Sequence, residues 1–141
     1  LLYLQNEIRN KTQFDLDEKK KYCLYENGGA VYALPDNCFS WQKLKILRCG
    51  VKLGEIRKNR FEPAHAYALS LKRGEAKNVV SLKYDDARVQ KYLRGEEIPA
   101  DGFDGVAGWC AVCADGFPLG WGKAANGVIK NHLPHGLRLF G

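Results

Sequence analysis

The sequence predicts an α+β fold, a small mixed or antiparallel β-barrel carrying two or three short helices. Three observations carry that prediction. Tight-turn signals at Asn27-Gly28-Gly29, Asp115-Gly116 and Asn126-Gly127 separate runs rich in β-branched and aromatic residues. Two segments lying between those strand clusters, 61–71 and 85–95, read as helices. The 141 residues, 45% of them apolar, suffice for one hydrophobic core that hides about two-thirds of the unfolded surface, with no room for a second full domain.

Residues 1–19 have few large apolar groups after Leu4 and run into the charged segment Asp17 to Lys21, so they predict a linker or an incoming helix. Residues 20–84 read as a basic, hairpin-rich subdomain and 85–141 as a C-terminal motif region packed with it as one unit. Tyr22 to Tyr25 and Ala30 to Leu34 form the first expected hairpin, around Asn27-Gly28-Gly29, where a tight turn needs positive φ. Pro35 to Trp41 predicts a turn with a short helical piece. Leu44 to Leu47 and Val51 to Ile56 predict strands on either side of Cys49-Gly50. Phe61-Glu62-Pro63 reads as a helix start, Pro63 sitting where a missing N–H costs nothing, and Lys72-Arg73-Gly74 as its end. Val79 to Leu82 predicts a brief strand, Asp85-Asp86 a second helix start, and 99–108 a loop. Trp109 to Ala114, Phe117 to Ala124, Val128 to Lys130 and Leu137 to Phe140 complete the expected strands.

The net charge of +6 is concentrated in one place. Within 42–60, Lys43, Lys45, Arg48, Lys52, Arg57, Lys58 and Arg60 stand against Glu55 alone, and the rest of the chain sums to zero. This is the composition of a surface that faces phosphates, although a solvated strand pair has the same composition. A second set, Trp121, Lys123, Lys130, Asn131 and Arg138, crowds the last strands and turns. A ring beside cations stacks bases and holds phosphates, and the competing reading puts Trp121 in the core with the cations at its rim.

Other chemistries are disfavoured by spacing. Cys110 and Cys113 form a C-x-x-C, but on a strand positions three apart point to opposite faces, and no second pair completes a four-ligand zinc site. With Cys23, Cys38 and Cys49 isolated, the thiols read as buried hydrophobes of a reducing, cytoplasmic compartment, and no metal is expected. His65, His132 and His135 come with no orienting acid or nucleophile. In 116–124 Phe117 and Ala124 stand where a phosphate loop needs Gly and a hydroxyl, and no G-x-G-x-x-G opens a βαβ unit. No apolar run approaches the ~18 residues of a membrane span. The absence of Met suggests an excised or processed piece.

Gly116 to Lys123, Gly127 to His132 and Pro134 to Arg138 together resemble the C-terminal PUA-like RNA-binding region of the NOL1/NOP2/Sun family of ribosomal RNA cytosine-5 methyltransferases, nearest to the bacterial small-subunit enzymes. The segments 47–55, 60–66 and 92–96 resemble the region that joins that module to the catalytic domain. Leu133 and His135 depart from the family pattern, which has an aromatic and a cation there. The resemblance implies a PUA-like fold and an RNA-binding role without catalysis in this chain. It implies ribosomal RNA and the enzyme's own N-terminal methyltransferase domain as partners. No cysteine follows Pro or Thr, so the resemblance places the nucleophile and the S-adenosylmethionine site in that other domain, with no cofactor here. The alternative is a docking domain of the same enzyme that never touches RNA.

Overall fold

The computed structural model describes residues 22–35, 50–72 and 74–140. The expected strand at 44–47, the helical piece before Trp41 and the leading linker lie outside the described residues, as do Lys43, Lys45 and Arg48.

The first layer is an antiparallel meander of β1 (Tyr22–Asn27), β2 (Ala30–Pro35), β3 (Val51–Arg57) and β4 (Arg60–Pro63), paired in that order. Gly28 and Gly29, at φ of +59° and +86°, make the β1–β2 turn as a two-residue loop. Val31 opposes Gly54 and Tyr32 opposes Lys52, so Leu53 is an extra residue on β3, and this bulge turns its side chain into the core. β3 and β4 form a hairpin that turns at Lys58 and Asn59 with φ of +45° and +61°, and Phe61-Glu62-Pro63 is strand rather than helix.

Helix α1 (His65–Ser70) follows immediately and packs against β3 and the later strand β8. It ends at Ser70, before the cations at 72–73 that were expected to close it. Next come β5 (Val79–Leu82) and α2 (Ala87–Leu93), whose N-cap Asp86 accepts a hydrogen bond from the Arg88 backbone N–H at 2.9 Å. The short β6 (Ile98–Pro99) interrupts the expected loop. β7 (Gly108–Ala114), β8 (Phe117–Ala125) and β9 (Val128–Asn131) are joined by two-residue turns at Asp115-Gly116 and Asn126-Gly127, with all four φ positive. The second sheet runs β5-β7-β8-β9-β6, with β5 and β7 parallel and its other pairs antiparallel. It is a mixed sheet whose edges, β5 and β6, are not paired to each other. Residue 84 falls between β5 and α2. Leu137 to Phe140 forms no ladder: a single 3₁₀ turn, His135–Leu137, precedes an extended end tied by Leu139 N–H to the Leu93 carbonyl at 2.8 Å.

Two apolar clusters hold these layers. The first gathers Leu24, Val31, Leu53 and Phe61 from the meander, Tyr67 and Ala68 from α1, and Ala111, Cys113 and Trp121 from the second sheet, so both sheets share one interior. The second fills the other face of that sheet with Val80, Val89, Tyr92, Cys110, Val112 and Ile129. Trp121, 1% exposed, is the joint. Its indole N–H donates to the Ala64 carbonyl at 2.8 Å, and its own carbonyl accepts from the Tyr92 hydroxyl at 2.8 Å.

Candidate nucleic-acid interface

The register of β3–β4 places Glu55 opposite Glu62 and Arg57 opposite Arg60. Residues that oppose each other, and residues two apart on a strand, share a face, so these four charges lie together. Glu55 holds Lys52 at 2.5 Å and Arg57 through Nε at 2.8 Å and Nη2 at 2.6 Å. These hydrogen bonds, from Lys52 first and then Arg57, lower the Glu55 carboxyl below its ordinary value. Lys58 and Arg60 are exposed and make no ion pair among the described residues.

The second sheet supplies a different arrangement. Trp109 on β7 opposes Lys123 on β8, which opposes Lys130 on β9, so one aromatic and two cations form a row across three strands. The Lys123 Nζ stands 5.5 Å from the centroid of the Trp109 ring, and the His132 ring meets Trp109 edge-on at 4.4 Å. Lys123 and Lys130 are exposed and Trp109 is half-buried. The His132 imidazole is lowered from its ordinary value, first by desolvation and then by Lys123, while Glu62 acts in the opposite direction. Glu62 also acts on Arg57. β4 runs into Ala64, whose carbonyl holds the Trp121 indole two residues before Lys123, so the end of the hairpin lies next to the strand that carries the lysine row.

The sequence of this chain matches known proteins along most of its length. Residues 8–71 match the first C-terminal domain of the RsmF rRNA methyltransferase, and residues 78–139 match the methyltransferase RsmF PUA domain. The chain belongs to the RsmF family. Curated relatives in that family are called ribosomal RNA small subunit methyltransferase F. The Vibrio campbellii protein is 35% identical over 98 residues, which is 67% of this chain and 20% of the relative. The Vibrio vulnificus protein is 34% identical over 95 residues, covering 67% of this chain and 19% of the relative, and the Vibrio atlanticus protein 30% over 95 residues, covering 67% and 20%. The chain thus spans about a fifth of the length of the RsmF relatives it matches.

Within this RsmF region the residues expected to bind RNA divide sharply. Lys58, Arg60, Lys123 and Lys130 present their cations to solvent, whereas Lys52 and Arg57 are held by Glu55. Trp121 is core, which corrects the expectation of a stacking face: the ring is buried against Tyr67, centroids 5.6 Å apart. Asn131 is also structural. Its amide donates to the carbonyls of Tyr92 at 2.7 Å and Glu96 at 3.0 Å, and its oxygen accepts from Leu133 N–H at 2.8 Å. Arg138 donates from Nε to the Leu133 carbonyl at 3.0 Å and lies over Gly95, filling the space a Cβ there would need. Leu133, the departure from the family's aromatic, is 4% exposed in the second cluster. Trp109 was missed, because only the register reveals the lysines opposite it.

Cys110 and Cys113 are buried in different clusters, with Cys110 pushed up to about 11 by that burial and Cys113 pushed up for the same reason, so both stay protonated at neutral pH. No group of three His, Cys, Asp or Glu side chains gathers to hold a metal among the described residues. The one described parallel pair, β5–β7, carries no glycine-rich loop of the dinucleotide-binding kind, since Asp86 opens the helix that follows β5. No described helix is long and apolar enough to cross a membrane.

Proposed function

We propose that this chain is the RNA-binding accessory region of a ribosomal RNA cytosine-5 methyltransferase and positions a catalytic domain on ribosomal RNA in the cytoplasm. One observation carries this reading: Lys58, Arg60, Lys123 and Lys130 stand exposed, without carboxylate partners among the described residues, on a hairpin and a sheet that the hydrogen bond from the Trp121 indole to the Ala64 carbonyl ties together. Cations left unpaired at a folded surface bind phosphates by releasing counterions, and the membership in the RsmF family supplies the polymer. In this reading residues 20–84 and 85–141 act as one unit, and S-adenosylmethionine and the catalytic cysteine belong to the methyltransferase domain. Four phosphate contacts give a slope of log affinity against log salt near −3, at roughly 0.7 to 0.9 per contact.

The test is a titration of the chain into a labelled, structured fragment of small-subunit ribosomal RNA. The expected affinity at low salt is about micromolar and falls steeply as salt rises. Absence of binding at low salt contradicts the proposal. A second reading, docking on the catalytic domain without RNA contact, draws on the exposed side chains of Leu137, Leu139 and Phe140. Under it the separated catalytic domain binds this chain while RNA does not.

A further inference from the structure

The geometry points to a nucleobase-stacking site on the indole of Trp109, where an unpaired RNA base lies on the ring and Lys123 and Lys130 take the phosphates beside it. The inference rests on the RNA-binding reading above and specifies how that surface grips its ligand.

Trp109 and Trp121 share one face of the β7–β8 pair, Trp109 opposite Lys123 and Trp121 opposite Ala111. Their surroundings differ. Trp121 is buried and its N–H is bonded, whereas Trp109 is half-buried and its indole N–H has no hydrogen-bond partner among the described residues. The Trp109 ring rests on the first apolar cluster and is steadied by the His132 ring, steeply tilted to it with centroids 4.4 Å apart. Its backbone is fixed as well: the Asn78 amide donates to the carbonyls of Ala107 at 2.9 Å and Trp109 at 3.3 Å. The loop bearing His132 is tied by its N–H to the Trp121 carbonyl at 3.2 Å. A ring held this firmly loses little conformational freedom when a base settles on it.

What covers the exposed side is an ammonium on a flexible stem. Lys123 Nζ lies over the ring at 5.5 Å from its centroid, and such contacts are weak where solvent reaches them. An arriving base displaces the ammonium, which is then released toward a phosphate, and Lys130 stands opposite on β9 to take a second. A base stacked within a duplex has no open face, so the ligand is a single-stranded or looped segment.

The experiment compares a short oligouridylate with an abasic ribose-phosphate oligomer of equal length, against the wild-type chain, Trp109→Ala and Trp109→Phe, with circular dichroism confirming the fold. The expected results are that the wild type prefers oligouridylate, that Trp109→Ala weakens it about 5- to 150-fold while leaving the abasic oligomer unchanged, and that Trp109→Phe keeps most of the preference. Equal affinity of the wild type for both oligomers overturns the site and leaves the RNA reading standing. So does equal loss on both oligomers in a folded Trp109→Ala. Failure of the wild type to bind either oligomer or the ribosomal RNA fragment overturns both. If Trp109→Ala does not fold, the wild-type preference and its retention in Trp109→Phe decide the matter.

Discussion

Trp121, Asn131 and Arg138 look in sequence like a ring and polar groups gathered for RNA, yet each is consumed by the fold. Asn131 shows how fully: one amide satisfies the carbonyls of Tyr92 and Glu96 while its oxygen receives Leu133 N–H. Asn131→Ala leaves those groups without their partner, and the expected cost is about 1–3 kcal/mol, read as a lower urea midpoint. The salt slope of RNA binding should stay unchanged in that variant. A change in the slope with no loss of stability would return Asn131 to the interface. Composition could not separate Trp121 from Trp109, because both occupy the same strand pair and the same face. The difference is made by the N-cap of α1, Ala64, whose carbonyl accepts from the Trp121 indole, whereas Trp109 stays half-buried. That contact spans 57 positions and has no local signature.

At the scale of elements, the glycine-bearing turns were legible because Gly28-Gly29, Asp115-Gly116 and Asn126-Gly127 advertise positive φ. The turn at Lys58-Asn59 was not, since it forces a lysine to φ +45° at a cost of about 1–2 kcal/mol, and so Phe61 to Pro63 read as a helix start rather than a strand. The surrounding ladder over-determines it: Arg57 pairs with Arg60 while Ile56 N–H donates to the Gly29 carbonyl at 2.7 Å. Helix α1 has a further consequence at its first residue. His65 packs on Gly120, where a Cβ would fall 3.2 Å from its Nδ1, and that buried nitrogen has no hydrogen-bond partner among the described residues. Burial lowers the imidazole below its ordinary 6.5, as desolvation does for His132. The unfolded chain therefore binds more protons below about pH 6.5, and stability must fall as pH drops through that value. Urea midpoints between about pH 7.5 and 5 check this, and His65→Gln should flatten part of the decline. A midpoint that is constant or rises toward pH 5 would contradict it.

At the scale of the whole molecule, the two sheets share an interior through Trp121, so the hairpin and the lysine row are held in fixed relation. The sequence located an excess of cations in 42–60, but charge counting cannot see that Glu55 holds two of them, or that Glu62, just beyond the segment, faces Glu55. It also could not see that Lys123 and Lys130, separated by a turn, stand side by side with Trp109. The family resemblance was legible in the motifs of 116–138 and is supported by the matches to both RsmF C-terminal domains. The central claim is that the unpaired cations of two elements form one phosphate-binding surface. The direct measurement is the salt dependence of RNA affinity for the wild-type chain and for Lys58→Gln/Arg60→Gln, Lys123→Gln/Lys130→Gln and the combined variant. The account predicts that each pair lowers the magnitude of the slope by about 1.4 to 1.8 and that the two reductions add. A slope that neither pair alters, in folded variants, would contradict it.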